Sequence, residues 1–326
     1  MSHVIPYIAA IQEAIREEME RDDRVLYFGQ NMATSPEDPF LKQFGPDRVR
    51  VTPISETAEI GIATGAAVAG YRPVVELYMA EFLLVATDQV VNEGTRFHFM
   101  SKGQVSVPMV MVAGYGFTAG WAGQHTGSIY GMFMGVPGLK VALPSTPADA
   151  KGLMTTAIRD DNPVLFFQNY LLLLDEGEVP DGEHAVPFGV ADVKRAGSDL
   201  TLVATGYAVR TALGAAESLA RRGVSVEVID PRTIAPLDVD TILSSVARTG
   251  HLVLVDQATR HSSVSAVIAA EVAELGFSSL EAPISLVTAL DSSIAYSKPV
   301  EEFVLPDEHK VVKAVEESLG LAPASA

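Results

Sequence analysis

Ile8, Ile11, Ile15 and Met19 recur every three to four positions, with Glu13, Arg16, Glu17 and Glu20 on the other face, which predicts an amphipathic helix near the amino terminus. Residues 24–28 then read as a buried strand ending at Gly29-Gln30-Asn31, and residues 35–47 carry the proline, glycine and charge of a surface loop. From Thr52 to Asn92 the pattern changes. One acid, Glu56, stands in front of a helix almost free of charge, on which Gly61, Ala63, Gly65, Ala66, Ala67 and Ala69 keep the surface small. Ser55 is placed to cap this helix and Gly70 to stop it. A helix so smooth must pack closely against something. Residues 73–77 follow as a short buried strand that leads to a second acid, Glu81, and an aromatic, Phe82.

Further along, residues 107–113 form an apolar run of strand length, followed by the richest glycine loop of the chain, residues 114–125. Its spacing is G-x-G-x-x-x-G and no periodic helix opens on it, which argues against a dinucleotide fingerprint. Strands at 139–144 and 163–168 flank a helix at 147–159, an alternation that implies a parallel sheet with helices on both faces. Residues 175–184 are acidic and rich in glycine and proline, as a linker is. A second alternating unit begins near Asp199, with strands at 200–204, 224–229 and 251–255 and helices at 209–221 and 238–246. The fold class is therefore α/β with two doubly wound domains, residues 1–180 and a smaller 199–326, joined by a linker at 181–198. The small-residue tail at 321–326 is expected to fray.

Composition narrows the function. The 326 residues, 48% of them hydrophobic, suffice for two cores. The longest uncharged apolar runs fall short of the roughly eighteen residues that span a bilayer, and no basic region followed by an apolar core opens the chain, so a cytoplasmic location is expected. A formal charge of −18 opposes phosphate backbones and argues against nucleic acid as a partner. The absence of cysteine excludes disulfides, thiolate metal sites and a cysteine nucleophile.

Several fragments then fall in register: Thr52-Pro53-Ile54-Ser55-Glu56, Arg72-Pro73, Asp88-Gln89-Val90-Val91-Asn92, Gln124-His125, Pro137-Gly138-Leu139-Lys140-Val141, Asp149-Ala150-Lys151-Gly152-Leu153 and residues 157–163, with residues 226–238 in the second unit. Together, over nearly the whole chain, they resemble the beta subunit of thiamine-diphosphate-dependent 2-oxo acid dehydrogenases, the decarboxylating component of the pyruvate, branched-chain and acetoin complexes. The resemblance implies a transketolase-like pyrimidine-binding domain followed by a transketolase C-terminal-type domain. It implies that Glu56 holds the cofactor's aminopyrimidine nitrogen and so activates it, that Phe82 packs on that ring, and that His125 handles protons or developing oxygen charge on the substrate adduct. Taken alone, Glu56 would read as a helix-start glutamate, Phe82 as a core aromatic and His125 as a structural histidine. Met109, Ala157, Ile158, Asp160 and Asn162 match positions at which some relatives bind potassium through backbone oxygens; by themselves they read as a helix end with turn hydrogen bonds.

No Gly-Asp-Gly occurs in the chain, the nearest string being Pro180-Asp181-Gly182, whereas enzymes of this cofactor hold magnesium and diphosphate with that motif. The resemblance therefore implies an alpha partner in an alpha2-beta2 assembly that supplies most of the magnesium site, with the cofactor across the interface, and a lipoyl acyltransferase core as a further partner. The sequence departs from the family at Gln30 and Asn31, where acids are common, at Gln168, where a glutamate is common, at Thr126 in place of serine, and at the apolar residues 170–174 and the segment 260–265. His261 reads as an exposed loop histidine. Two other readings remain open at this stage, a two-subunit transketolase-type carboligase and a noncatalytic interface subunit.

Overall fold

The computed structural model describes residues 1–30, 38–116 and 120–322; Asn31, part of the loop expected at 35–47, part of the glycine loop and the end of the tail lie outside them. The chain divides into two compact units, Met1–Tyr115 with Phe133–Phe188, and Gly116–Met132 with Gly189–Ala326.

The first unit opens with β1 (Ser2–Pro6) and the expected amphipathic helix α1 (Tyr7–Arg21). Its sheet takes β2 (Val25–Gly29), β3 (Val49–Val51), β4 (Arg72–Leu77), β5 (Val110–Tyr115), β6 (Lys140–Ala142) and β7 (Val164–Asn169) in the order β6-β7-β5-β4-β2-β3, all parallel. β5 and β7 are buried along their whole length, as strands covered on both faces must be, which is why residues 110–115 and 164–167 read as nearly unbroken apolar runs. Helices α2 (Pro39–Phe44), α3 (Glu56–Val68), α4 (Arg96–Met100) and α5 (Pro147–Arg159) complete the unit. Where α1 packs on α5, Lys151 is fully buried and its ammonium donates to Glu13 at 2.6 Å, Glu17 at 2.9 Å and the Gly182 carbonyl at 3.0 Å. A cation this deep is tolerated only because every proton it carries has an acceptor.

Two local expectations are revised. Within the acidic stretch at 175–184, Glu176–Pro180 form strand β8, antiparallel to β1. Glu176 and Glu178 are exposed and alternate with buried Val179, so the polarity that resembles a linker belongs to the wet face of a two-stranded ribbon. Ser55 does flank α3, but its side chain makes no capping bond; at φ −165° and ψ 80° its backbone does not bring the hydroxyl to the free amides. Glu56 and Glu59 in the first turn instead supply the negative charge that a helix start favours. Gly70 ends the segment as expected, with φ +99°.

In the second unit β9 (Asp192–Arg195) lies antiparallel on β11 (Val226–Asp230), and β10 (Leu200–Ala204), β13 (Leu252–Thr259) and β14 (Ser285–Ala289) extend a parallel sheet in the order β14-β13-β10-β11-β9. A short strand β12 (Thr233–Ala235) precedes α7 (Val239–Thr249). Helices α6 (Ala208–Ala220) and α10 (Glu308–Ser318) share one apolar core against this sheet, built from residues such as Ala212, Ala216, Leu219, Val311 and Val315. α7 packs with α8 (Val264–Leu275), and α9 (Lys298–Val304) lies before α10. The segment Gly116–Met132 belongs here because Tyr130 is fully buried and its hydroxyl donates to the buried carboxylate of Asp256. Among the described residues no helix is long and apolar enough to cross a membrane.

Candidate active site

Glu56 is the first residue of α3 and is buried at 8% exposure, yet its carboxyl has no hydrogen bond or ion pair to another described residue. A largely buried acid with no partner among the described residues is placed to receive one from outside the chain. Glu59, one turn further on, was not singled out by sequence reasoning. It is more deeply buried, and both of its oxygens are engaged: Thr52 Oγ1 donates to one and Gln30 Nε2 donates to the other at 2.6 Å. Burial pushes the Glu59 carboxyl above the usual carboxylate range, the two donors pull the other way, and the nearby charge of Glu56 pushes it up again. The i, i+3 spacing of the two acids is the signal that was available.

Phe82 lies in a 3-10 turn spanning Ala80–Leu84 and is half-buried. Thr57 Oγ1 donates to the Val85 carbonyl at 3.0 Å, which ties the first turn of α3 to the end of that turn, so Glu56 and Phe82 are held in one part of the first unit. Beside them a π-helical turn at Gln89–Gly94 packs on α3, and a side-chain carbon at Gly61 would come within 3.7 Å of Gln89. The Gln89 carboxamide oxygen is buried with no hydrogen-bond partner among the described residues. Behind the turn, Tyr27 donates to Glu76, and Tyr170 donates to the Tyr78 carbonyl with its ring against Gly114. Burial holds both phenols well above their usual range, so they serve as neutral donors.

His125 lies in the second unit, half-buried, its ring edge-on to Trp121 at 6.0 Å between centroids. The turn before it is tight: Ala122 adopts φ +58°, and its carbonyl accepts from the His125 amide at 3.2 Å and the Thr126 hydroxyl at 2.7 Å. Thr126 thus uses its hydroxyl to fix this turn. His261 is exposed in the turn Arg260–Ser262.

Of the residues matched to a potassium site, Ile158 and Asp160 turn their carbonyls to Arg72 Nη1, at 3.1 and 3.0 Å. The Met109 carbonyl accepts from the Val164 amide at 2.9 Å, and the Ala157 carbonyl from the Asp160 amide at 3.3 Å. The Asp160 carboxylate takes the Lys140 ammonium together with the amide and carboxamide of Asn162, at 2.9 and 3.0 Å. Two protein cations already occupy this corner.

A parallel doubly wound unit with a buried acid at the mouth of a small-residue helix, followed by a smaller doubly wound unit, defines a transketolase-type α/β protein. The chain matches the transketolase pyrimidine-binding domain over residues 3–173 and the transketolase C-terminal domain over residues 189–311. It is 40% identical to the acetoin:2,6-dichlorophenolindophenol oxidoreductase subunit beta of Bacillus subtilis, covering 98% of both chains. It is 40% identical to the pyruvate dehydrogenase E1 component subunit beta of Rickettsia bellii, over 94% of this chain and 96% of that one. The 2-oxoisovalerate dehydrogenase subunit beta of Bacillus subtilis is 38% identical, over 96% of this chain and 98% of its own length. A solved split-gene transketolase, an inactive beta4 tetramer, superposes with a TM-score of 0.80 over 98% of this chain and 99% of its own at 20% identity, which bears on the fold alone. The chain belongs to the family of beta subunits of thiamine-diphosphate-dependent 2-oxo acid dehydrogenases.

Proposed function

We propose that this chain, joined to an alpha subunit, decarboxylates a 2-oxo acid with thiamine diphosphate and delivers the acyl group to lipoamide. The observation that carries the reading is Glu56, a buried residue at the mouth of α3 whose carboxyl has no hydrogen-bonding partner among the described residues. Thiamine diphosphate, when bound, would supply a carbanion able to add to a 2-oxo acid and an electron sink for the bonding pair left behind when carbon dioxide departs. Glu56 holds a proton at the aminopyrimidine ring nitrogen, and Phe82 orients that ring through its flat face. The orphaned carboxamide oxygen of Gln89 beside α3 fits a site that an amino group of the cofactor completes. His125 holds or releases a proton at the substrate oxygen.

The need for an alpha partner is supported by the outer surface of this region. Ile54, Ile62, Val68, Leu84 and Val85 are exposed around α3 and the turn after it, an apolar surface that a subunit interface would cover. With no Gly-Asp-Gly in the chain, magnesium and the diphosphate fall mainly to that partner. Potassium forms no part of this reading, because Arg72 and Lys140 already bring positive charge to the end of α5. Glu56→Gln in the co-expressed pair tests the proposal. Turnover with lipoamide should fall by about 100-fold or more, the scale of general acid–base catalysis, while assembly measured by light scattering stays intact. Unaltered turnover would turn the chain into a noncatalytic interface subunit, and ketol formation in place of acyl-lipoamide would make it a carboligase half.

A further inference from the structure

His3 takes no part in the reading above, yet it joins three segments of the first unit. It lies on β1, half-buried, with Nδ1 2.8 Å from an Asp181 carboxylate oxygen and Nε2 3.1 Å from Glu13 Oε2 on α1. Carboxylates have lone pairs and no hydrogen to give, so both ring nitrogens must donate, which only the imidazolium can do. Glu13 is held ionised: its other oxygen accepts from Lys151 Nζ, and although burial pushes this carboxyl up, the bonds from Lys151 and His3 keep it below its usual range. Lys151 spends its remaining protons on Glu17 and the Gly182 carbonyl. Asp181 and Gly182 follow β8 directly and open the stretch that ends the first unit at Phe188. The chain is thus gripped at two successive residues, by one permanent cation and by one that titrates. The other charged groups on the packed elements are engaged elsewhere or face water. The Met1 amino group lies 4.0 Å from Asp181, Glu18 and Glu183 pair with Arg159, Glu20 accepts from Gln43, and Arg16 lies over the Phe40 ring. Glu176 and Glu178 on β8 are exposed, and His184 lies against Gly152 of α5.

We propose that His3 is a pH-sensitive latch, whose imidazolium clips Asp181, at the start of the segment that leaves the first unit, to α1, and whose loss of a proton frees it. A neutral ring keeps one of the two bonds and turns a lone pair on the other carboxylate. The bond to Asp181 and then that to Glu13 raise the imidazole above its ordinary value and outweigh its burial, in agreement with this geometry. For a group whose folded value is raised, the stabilisation is complete below the ordinary histidine value and is lost as pH rises through the higher folded one. The latch is therefore closed in mild acid and opens on the alkaline side. The Lys151 bond to Gly182 remains, so what loosens is the β1–β8 ribbon and the first residues after it.

Hydrogen exchange of the co-expressed alpha–beta enzyme, read by mass spectrometry, tests this. At about pH 6 the amides of residues 1–6 and 176–186 should exchange about two- to fivefold faster in His3→Gln than in wild type, the size expected of exposed ion pairs, and at about pH 9 the two should exchange alike. Amides of β13 serve as the internal reference and should not differ at either pH. A ratio that stays the same across the range would make His3 a merely structural residue and overturn the proposal, as would equal rates at the lower pH. Ring-nitrogen spectra of the enzyme with labelled histidine provide a second readout. One histidine should hold both protons to a higher pH than an ordinary imidazole does, and should lose the second at lower pH in Asp181→Asn. If no histidine responds to Asp181→Asn, the latch fails whatever the fate of His3→Gln.

Discussion

Replacing Gly29 by alanine should damage both the sheet and the site, by an amount the structure lets one work out. Gly29 ends β2 opposite Glu76 of β4, and a Cβ there would lie 2.1 Å from the Glu76 carbonyl oxygen and 2.8 Å from its carbonyl carbon and amide nitrogen, with φ at +156°. An ordinary carbon–oxygen contact needs about 3.3 Å, so two central strands would have to part by about 1 Å at this point. Both neighbours are backbone and neither can swing aside. The bond from the Gln30 amide to the Glu76 carbonyl, 3.1 Å, would be stretched beyond use, and that from the Thr52 amide to the Gly29 carbonyl, also 3.1 Å, would be strained. Two buried backbone bonds at about 1 kcal/mol each, with about 1 to 3 kcal/mol of conformational strain, give a loss of about 3 to 5 kcal/mol. Gly45→Ala is the control, because its φ of +75° is also one that side-chain-bearing residues rarely adopt but nothing lies within 4 Å of the added carbon. Urea unfolding followed by circular dichroism should show Gly29→Ala falling well below Gly45→Ala. Equal losses would refute the close-approach argument. Because Gln30 and Thr52 both donate to Glu59, the same variant should also loosen the bonds that hold the Glu59 carboxyl.

Lys151→Met should destabilise the first unit by about 2 to 3 kcal/mol at neutral pH, below the full cost of breaking a buried pair because Glu13 and Glu17 can still reach water. Burial pushes the Glu13 carboxyl up, but the bonds from Lys151 and His3 outweigh it and hold it below its usual range. Its contribution is therefore present above the ordinary glutamate value and lost as pH falls through the lower folded value, so wild type and Lys151→Met should converge on acidification in urea titrations. Exchanging potassium for sodium in the assay buffer should leave both thermal stability and turnover of the assembled enzyme unchanged, given Arg72 at the Ile158 and Asp160 carbonyls; a potassium-dependent rise in either would restore the cation site.

Elements with strong periodicity were legible in the residues alone. The helix at 147–159 and the strand at 200–204 fall at the bounds read from pattern, because a proline at the first helical turn and a run of buried β-formers are local signals. β8 and β9 were hidden for a different reason: each pairs antiparallel at an edge, is half polar and is defined by its partner. The elements after Val255, from α8 through α10, were not marked out at all, and α8 lacks a clear polar face to announce it. Ser55 shows the limit of residue type, since a serine before a helix is a cap only if its backbone delivers the hydroxyl.

The site was legible in its parts and not in its couplings. Glu56 stands out because it closes the Thr52–Glu56 fragment that carries the family resemblance, whereas Glu59 lies outside that fragment and gains meaning only from Gln30 and Thr52, 29 and 7 residues away in the chain. Gln30 stands where the family resemblance leads one to expect an acid, and in this chain its carboxamide grips an acid that α3 supplies. His125 falls within the pyrimidine-binding match over residues 3–173, as its sequence position suggests, while its segment, Gly116–Met132, packs with the second compact unit, where Tyr130 donates to Asp256. A Cβ at Gly131 would lie 1.8 Å from the Ser262 carbonyl oxygen, so that end of the segment has no freedom to leave. Glu56 and His125, the two residues given catalytic roles in the proposed function, thus belong to different compact units of one chain.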